Sequence, residues 1–194
     1  MTITLAPHVL IVSSNQDASQ KLFGLLANLN CVSSAAASCA EAKNRLCEES
    51  FDLIVILSPL VDGMGVELAR KTVAAQHLMG CLVLVQKNMY DGACNTLSPN
   101  GILVMPKSTT TALVRQTLSF LLANRMKLLR YATQTERLQD QIHDVKTIAR
   151  AKLLLMEHLQ MGEAEAHHYI EKQAMDTCRH RRAVAEEILR TYQS

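Results

Sequence analysis

Five short runs of consecutive apolar residues, at about 8–12, 31–36, 53–57, 81–85 and 101–105, dominate the first half of the chain. Each is too apolar to alternate between a wet and a dry face. Helical patterns separate them, over about 17–29, 39–48 and 65–75, and a last one begins near Ser108. Strands buried on both sides belong to a parallel sheet with helices on both faces, and right-handed crossovers make such a sheet doubly wound. With 194 residues, 48% of them hydrophobic, the chain can bury that core and still carry a smaller appendage.

The second half is punctuated differently. Six of seven glycines and all four prolines precede residue 107, and only Gly162 interrupts the stretch from there to the end, a stretch that therefore reads as helical. Residues 1–124 hold 8 basic and 8 acidic side chains, whereas residues 125–194 hold 12 and 10, together with five of the seven histidines. A surplus of two positive charges does not advertise nucleic-acid binding by bulk charge, so local clustering has to make that case. No apolar run nears the roughly 20 residues of a membrane span. The opening residues lack a basic region before their apolar run, which argues against a cleaved leader and for a cytoplasmic chain. The six cysteines form no CxxC and have no histidine at zinc-ligand spacing, so they are expected to be small buried apolar residues.

Between about 118 and 145 the period changes. Leu121, Leu128, Thr135 and Ile142 fall at one heptad position and Asn124, Tyr131, Leu138 and Val145 at the other, a largely apolar seam that predicts a coiled-coil stalk and a homodimer. Asn124 is the kind of polar residue that fixes register in such a seam. The alternative is a single long helix packed on its own domain.

Beyond the stalk, three short amphipathic helices are expected. Ile148, Ala151, Leu155 and Met156 share one face of the first, Ala166, Ile170 and Ala174 of the second, and Val184, Ile188 and Leu189 of the third. Gly162 suits an N-cap, and Glu163 and Glu165 suit the positive end of the helix it opens.

The strand at 53–57 followed by Ser58-Pro59-Leu60 and Gly63, and the Val104-Met105-Pro106 turn, resemble the receiver domain of bacterial response regulators over about residues 7–124. That resemblance implies a flavodoxin-like fold. A working receiver has acidic residues after its first strand to hold Mg²⁺, an aspartate nucleophile at the end of the third, a Ser or Thr ending the fourth, and a lysine before the last proline. The corresponding positions read Ser13-Ser14, Leu57 or Ser58, Val85-Gln86 and Met105. Phosphoryl chemistry is lost, and a pseudo-receiver that binds a protein partner is the expectation. Asp62 reads as turn chemistry and Asp17 as a helix start. Lys107 stands one residue past Pro106, where its side chain points elsewhere.

The tail carries the Ala151-Lys152 pair with Met156, the Glu165-Ala166 entry to its second helix, and Ala174-Met175-Asp176 with Val184-Ala185-Glu186. These pieces, in this order over about 144–190, resemble the ANTAR domain, the RNA-binding antitermination module named for the AmiR and NasR regulators. The sequence departs at Arg181, where many ANTAR domains carry an apolar residue. A pseudo-receiver, a stalk and this tail in succession look like the AmiR and NasT type of regulator, giving domains at 1–120, 121–145 and 146–194. The resemblance implies recognition of a leader-RNA hairpin that blocks a terminator, under the control of a ligand-sensing partner protein.

Arg150, Ala151 and Lys152, Tyr169, and Arg179, Arg181 and Arg182 are the residues expected at the RNA, because RNA is read at splayed loop bases and along phosphates by basic and stacking side chains. A solvated surface run is the alternative for Arg181 and Arg182, and a half-buried core position for Tyr169. His167 and His168 are adjacent, face different directions and suit the surface. No nucleophile-base pair, Gly-rich phosphate loop or cofactor motif is present, so neither an enzyme nor a cofactor is expected. A protein-interaction adaptor of the response-regulator type remains the alternative to an RNA binder. A phosphorylated DNA-binding regulator is the weakest reading, since the tail lacks helix-turn-helix spacing.

Overall fold

The computed structural model describes residues 6–192. Residues 1–5, on which part of the leader reading falls, and residues 193 and 194 of the tail lie outside the described residues. The elements run β1 (His8–Val12), α1 (Gln16–Ala27), β2 (Val32–Ala36), α2 (Cys39–Glu48), β3 (Leu53–Leu57), α3 (Val66–Ala75), β4 (Gly80–Val85), α4 (Tyr90–Leu97), β5 (Leu103–Pro106), α5 (Thr111–Leu159), α6 (Glu163–Asp176) and α7 (Arg181–Tyr192). The chain divides within α5 into two compact units, Met1–Arg130 and Tyr131–Ser194.

In the N-terminal unit the five strands form one parallel sheet in the order β2-β1-β3-β4-β5. Alternation along each strand feeds two cores. Leu10, Val12, Ile54, Ile56, Val83 and Val85 pack with Ala42 of α2, Leu68 of α3 and Leu97 of α4. On the opposite face Val9, Ile11, Val55, Leu57, Leu82 and Leu84 pack with Leu22 and Leu26 of α1 and with Val114, Leu118 and Leu121 of α5. Each such side chain contributes about 1.5–3 kcal/mol on burial, which makes the central strands the anchor of the unit. Expectation and structure differ at β2, a half-exposed edge strand whose Val32 is on the surface, because its serines have only one neighbouring strand.

Local signals fix the helix starts. The Asn15 carboxamide oxygen accepts from Ala18 N–H at 2.9 Å, and the Ser38 hydroxyl accepts from Glu41 N–H at 3.1 Å. Gly65 precedes α3 at φ 69°, where an added Cβ would stand 2.6 Å from the Ile56 side chain. Asp52 accepts from His8 N–H at 2.6 Å and pairs with Arg125, tying α5 to the strand edge.

Three sequence expectations are corrected. The last receiver helix, the stalk and the first tail helix are not separate elements but one helix, α5, since neither Gly nor Pro occurs between 107 and 161 to break its ladder. Leu121 is buried in the N-terminal core, where it completes the i, i+4, i+7 face of Val114 and Leu118, and is not available to a seam. Of the cysteines only Cys81 is buried, its thiol pushed up to about 12 by desolvation; Cys47 and Cys178 are exposed and the other three are partly exposed.

The C-terminal unit joins the end of α5 to α6 and α7. Ala151, Leu155, Ala166, Ile170, Ala174, Val184, Ala185 and Ile188 make its core, flanked by partly buried Ile148, Met156 and Leu189. The spacing argument anticipated these faces. Glu165 reaches back to accept from Gly162 N–H at 2.9 Å, closing the start of α6.

Candidate nucleic-acid interface

The exposed surface of the C-terminal unit is built on three helices whose inward faces are fully committed. On α5 a 100° step per residue turns Lys146 and Arg150 away from the Ala151 and Leu155 face. Both are exposed, and neither side chain has a hydrogen-bond or ion-pair partner among the described residues. Lys146 was not singled out by sequence; its place four residues before Arg150 on a helix was the available signal. Ala151 is fully buried, so the expectation that it touches RNA is corrected. A methyl-sized side chain there admits the neighbouring helices to close packing.

The other basic candidates are engaged. Lys152 Nζ lies 2.7 Å from Glu163, holding that carboxyl below its usual range. Arg179 pairs with Glu187 at 2.6 Å and Arg181 with Glu171 at 2.9 Å. Arg182 donates to Glu186 at 2.8 Å within α7 and to Asp144 of α5 at 3.1 Å, which depresses the Glu186 carboxyl. These pairs are solvent-exposed and contribute little to stability, so a phosphate can compete for the same guanidinium groups. Arg181, Arg182 and His180 border a cleft of about 940 Å³ with Asp140, Asp144 and Val145. Tyr169 is about one-third exposed, and His167 and His168 are exposed, His167 standing 3.4 Å from Glu171.

The remaining seam residues are on the surface of α5. Leu128 in the N-terminal unit, and Tyr131, Leu138, Ile142 and Val145 in the C-terminal unit, are large apolar side chains that are 40–68% exposed. Asn124 is exposed as well.

In the N-terminal unit the receiver-like positions hold no reacting group. Ser13 is buried at the end of β1, where its hydroxyl donates to Asn15 C=O and accepts Asn15 N–H, both at 3.1 Å. Ser14 is exposed, 3.5 Å from Pro59 C=O. Leu57 is buried opposite Leu84, which in turn pairs in register with Met105. Ser58 is buried as well, with its side chain on the other face of the sheet, near Val85 and Ala93. Asp62 does more than shape a turn: its carboxylate accepts from Cys39 N–H at 2.8 Å and Ala40 N–H at 2.9 Å, capping α2, and these bonds lower its pKa. Lys107 N–H continues the sheet by donating to Val85 C=O at 2.7 Å, leaving its side chain exposed.

Residues 136–189 match the ANTAR domain family. The chain is similar in structure to the signal receiver domain of an HD domain-containing protein from Pseudomonas fluorescens Pf-5, with TM-score 0.61, 18% identity, and coverage of 67% of this chain and 96% of that one. It is similar to a response regulator receiver domain protein from Clostridium thermocellum, with TM-score 0.57, 20% identity and coverage of 64% and 99%. A CheY-like receiver domain protein from Methanospirillum hungatei JF-1 gives TM-score 0.58, 17% identity and coverage of 63% and 98%. No curated protein matches the chain in sequence. At these identities the likeness establishes the fold of the N-terminal unit. Among the described residues no helix is long and apolar enough to cross a membrane. The chain thus carries an ANTAR domain at residues 136–189 behind an N-terminal unit of receiver fold.

Proposed function

We propose that the chain is a cytoplasmic, non-enzymatic transcription antiterminator that binds a hairpin in leader RNA and prevents a terminator from forming. The ANTAR match over residues 136–189 carries this reading. Unpaired Arg150 and Lys146 supply the first phosphate contacts, and Lys152, Arg179, Arg181 and Arg182 exchange carboxylate partners for phosphate as the RNA docks. Tyr169 stacks on a loop base, a contact worth roughly 1–3 kcal/mol. The exposed apolar residues from Leu128 to Val145 pair two copies into a homodimer. A ligand-sensing regulatory protein controls the assembly through the pseudo-receiver, which has no phosphate to respond to.

Gel-shift titration of leader hairpins at several salt concentrations tests the RNA contacts. Arg150→Ala is expected to weaken binding to all hairpins alike and to lower the salt slope by about 1, without moving the melting temperature. Lys152→Ala weakens binding less, since Glu163 competes for the ammonium in the free protein. Unchanged affinity in both variants favours the protein-interaction adaptor, for which the paired arginines are the supporting observation.

Incubation with a small-molecule phosphodonor and Mg²⁺ is expected to leave the intact mass unchanged. Leu57 offers no nucleophile, and the Asp62 carboxylate is engaged by two backbone N–H groups. A stable phosphate adduct on Asp62 would overturn the pseudo-receiver assignment.

A further inference from the structure

Ser58 follows the last residue of β3, and alternation turns its side chain to the face opposite Leu57, toward α3 and α4. It is 1% exposed, and its hydroxyl has no hydrogen-bond partner among the described residues. Buried hydroxyls are nearly always paired, because leaving one unpaired forfeits the hydrogen bonds it made to water. Ser58 borders a cavity of about 270 Å³ whose other walls include Met64, Val66, Val85, Met89 and Ala93.

Depth and chemistry are graded across this cavity. Val85 and Ala93 are buried with Ser58, whereas Met64 and Met89 are more than 40% exposed and stand toward solvent. Methionines in that position can adjust to the outline of an occupant. The remaining polar side chains are Asn88, exposed with Met89 on the solvent side, and Thr96, which already donates to Gly92 C=O at 2.9 Å. No charged side chain lines the cavity, so a charged occupant would lose its hydration without compensation. Val85 stands where a receiver's Ser or Thr would be, so the replacement that removes a hydroxyl from the strand end also makes this wall apolar.

We propose that this cavity, between the end of β3 and helix α4, binds a small, neutral, mostly apolar molecule whose single carbonyl oxygen accepts a hydrogen bond from Ser58 Oγ. The N-terminal unit then senses a small molecule directly, at a site separate from the RNA-binding residues.

Acetophenone and ethylbenzene form a probe pair of nearly equal size that differ in the acceptor. Titrated into the full-length protein and followed by ¹H–¹⁵N correlation spectra, both are expected to shift the amides of Ser58, Val85 and Ala93 saturably. Acetophenone should bind roughly 3- to 10-fold more tightly, the range of one added neutral hydrogen bond. Ser58→Ala should erase that ratio while raising the melting temperature of the free protein, since it removes an unpaired buried hydroxyl. Ala93→Leu should block both probes by filling the cavity; if that variant does not fold, the Ser58→Ala comparison alone decides. No saturable shift at these amides in the wild type, or an acetophenone preference that survives Ser58→Ala, would overturn the proposal.

Discussion

Ile170→Ala is expected to destabilise the C-terminal unit by about 2–5 kcal/mol and to abolish RNA binding with it. Ile170 is 1% exposed at the centre of the core between α5, α6 and α7, and its neighbours Ala166, Ala174 and Ala185 are too small to close over the vacated volume. A loss of that size is a large part of the stability of so small a unit. Denaturant unfolding followed by far-UV circular dichroism checks it. Met175→Ala is the control, since Met175 is 78% exposed and its truncation should cost almost nothing. Met156→Ala should fall between the two, because that side chain is only partly buried.

The second large effect concerns assembly. Leu128→Asp combined with Leu138→Asp should convert a dimer into a monomer in sedimentation, because pairing two copies along the seam would then bury four unpaired carboxylates at a cost of several kcal/mol. Both leucines are exposed on the single chain, 40% and 51%, so the same changes should leave its melting behaviour nearly unaltered. Loss of dimer is thereby separable from loss of fold. A wild-type protein that sediments as a monomer at micromolar concentration contradicts the seam.

How far the sequence could be read depended on which forces were local. The central strands were legible because Val9–Val12, Leu53–Leu57 and Leu82–Val85 are apolar on both faces, a pattern that only a covered parallel sheet satisfies. The tail core was legible for the same reason, its apolar residues recurring at helical spacing. Helix α4 was not bounded, since Tyr90–Leu97 has a glycine inside it and little periodic contrast. The division of α5 into three pieces mistook a change in what the helix packs against for a change in backbone. Its residues near 118 serve the sheet, those near 138 face solvent and those near 151 serve the tail core.

Site residues were harder to read, because pairing partners are distant in sequence. Arg182 meets Asp144, 38 positions earlier, and Arg181 meets Glu171, 10 earlier, so a basic run that looks uncompensated is largely neutralised. Ala151 stood out as part of a motif, and its role is packing. Leu121 fits the heptad and the core face equally well by spacing, and only the sheet beneath it decides between them. Ser58 stood out as a position matching a receiver's aspartate, but nothing in the sequence signalled that its buried hydroxyl would lack a partner among the described residues.

The central claim is antitermination, and transcription through a leader template tests it most directly. With purified RNA polymerase and a template carrying the leader hairpins and terminator of the operon that adjoins this gene, added protein is predicted to raise readthrough in proportion to hairpin occupancy, with the Arg150→Ala, Lys152→Ala double variant shifting that response to higher concentration. Termination that stays unchanged at concentrations where the folded protein saturates the hairpin would contradict the account.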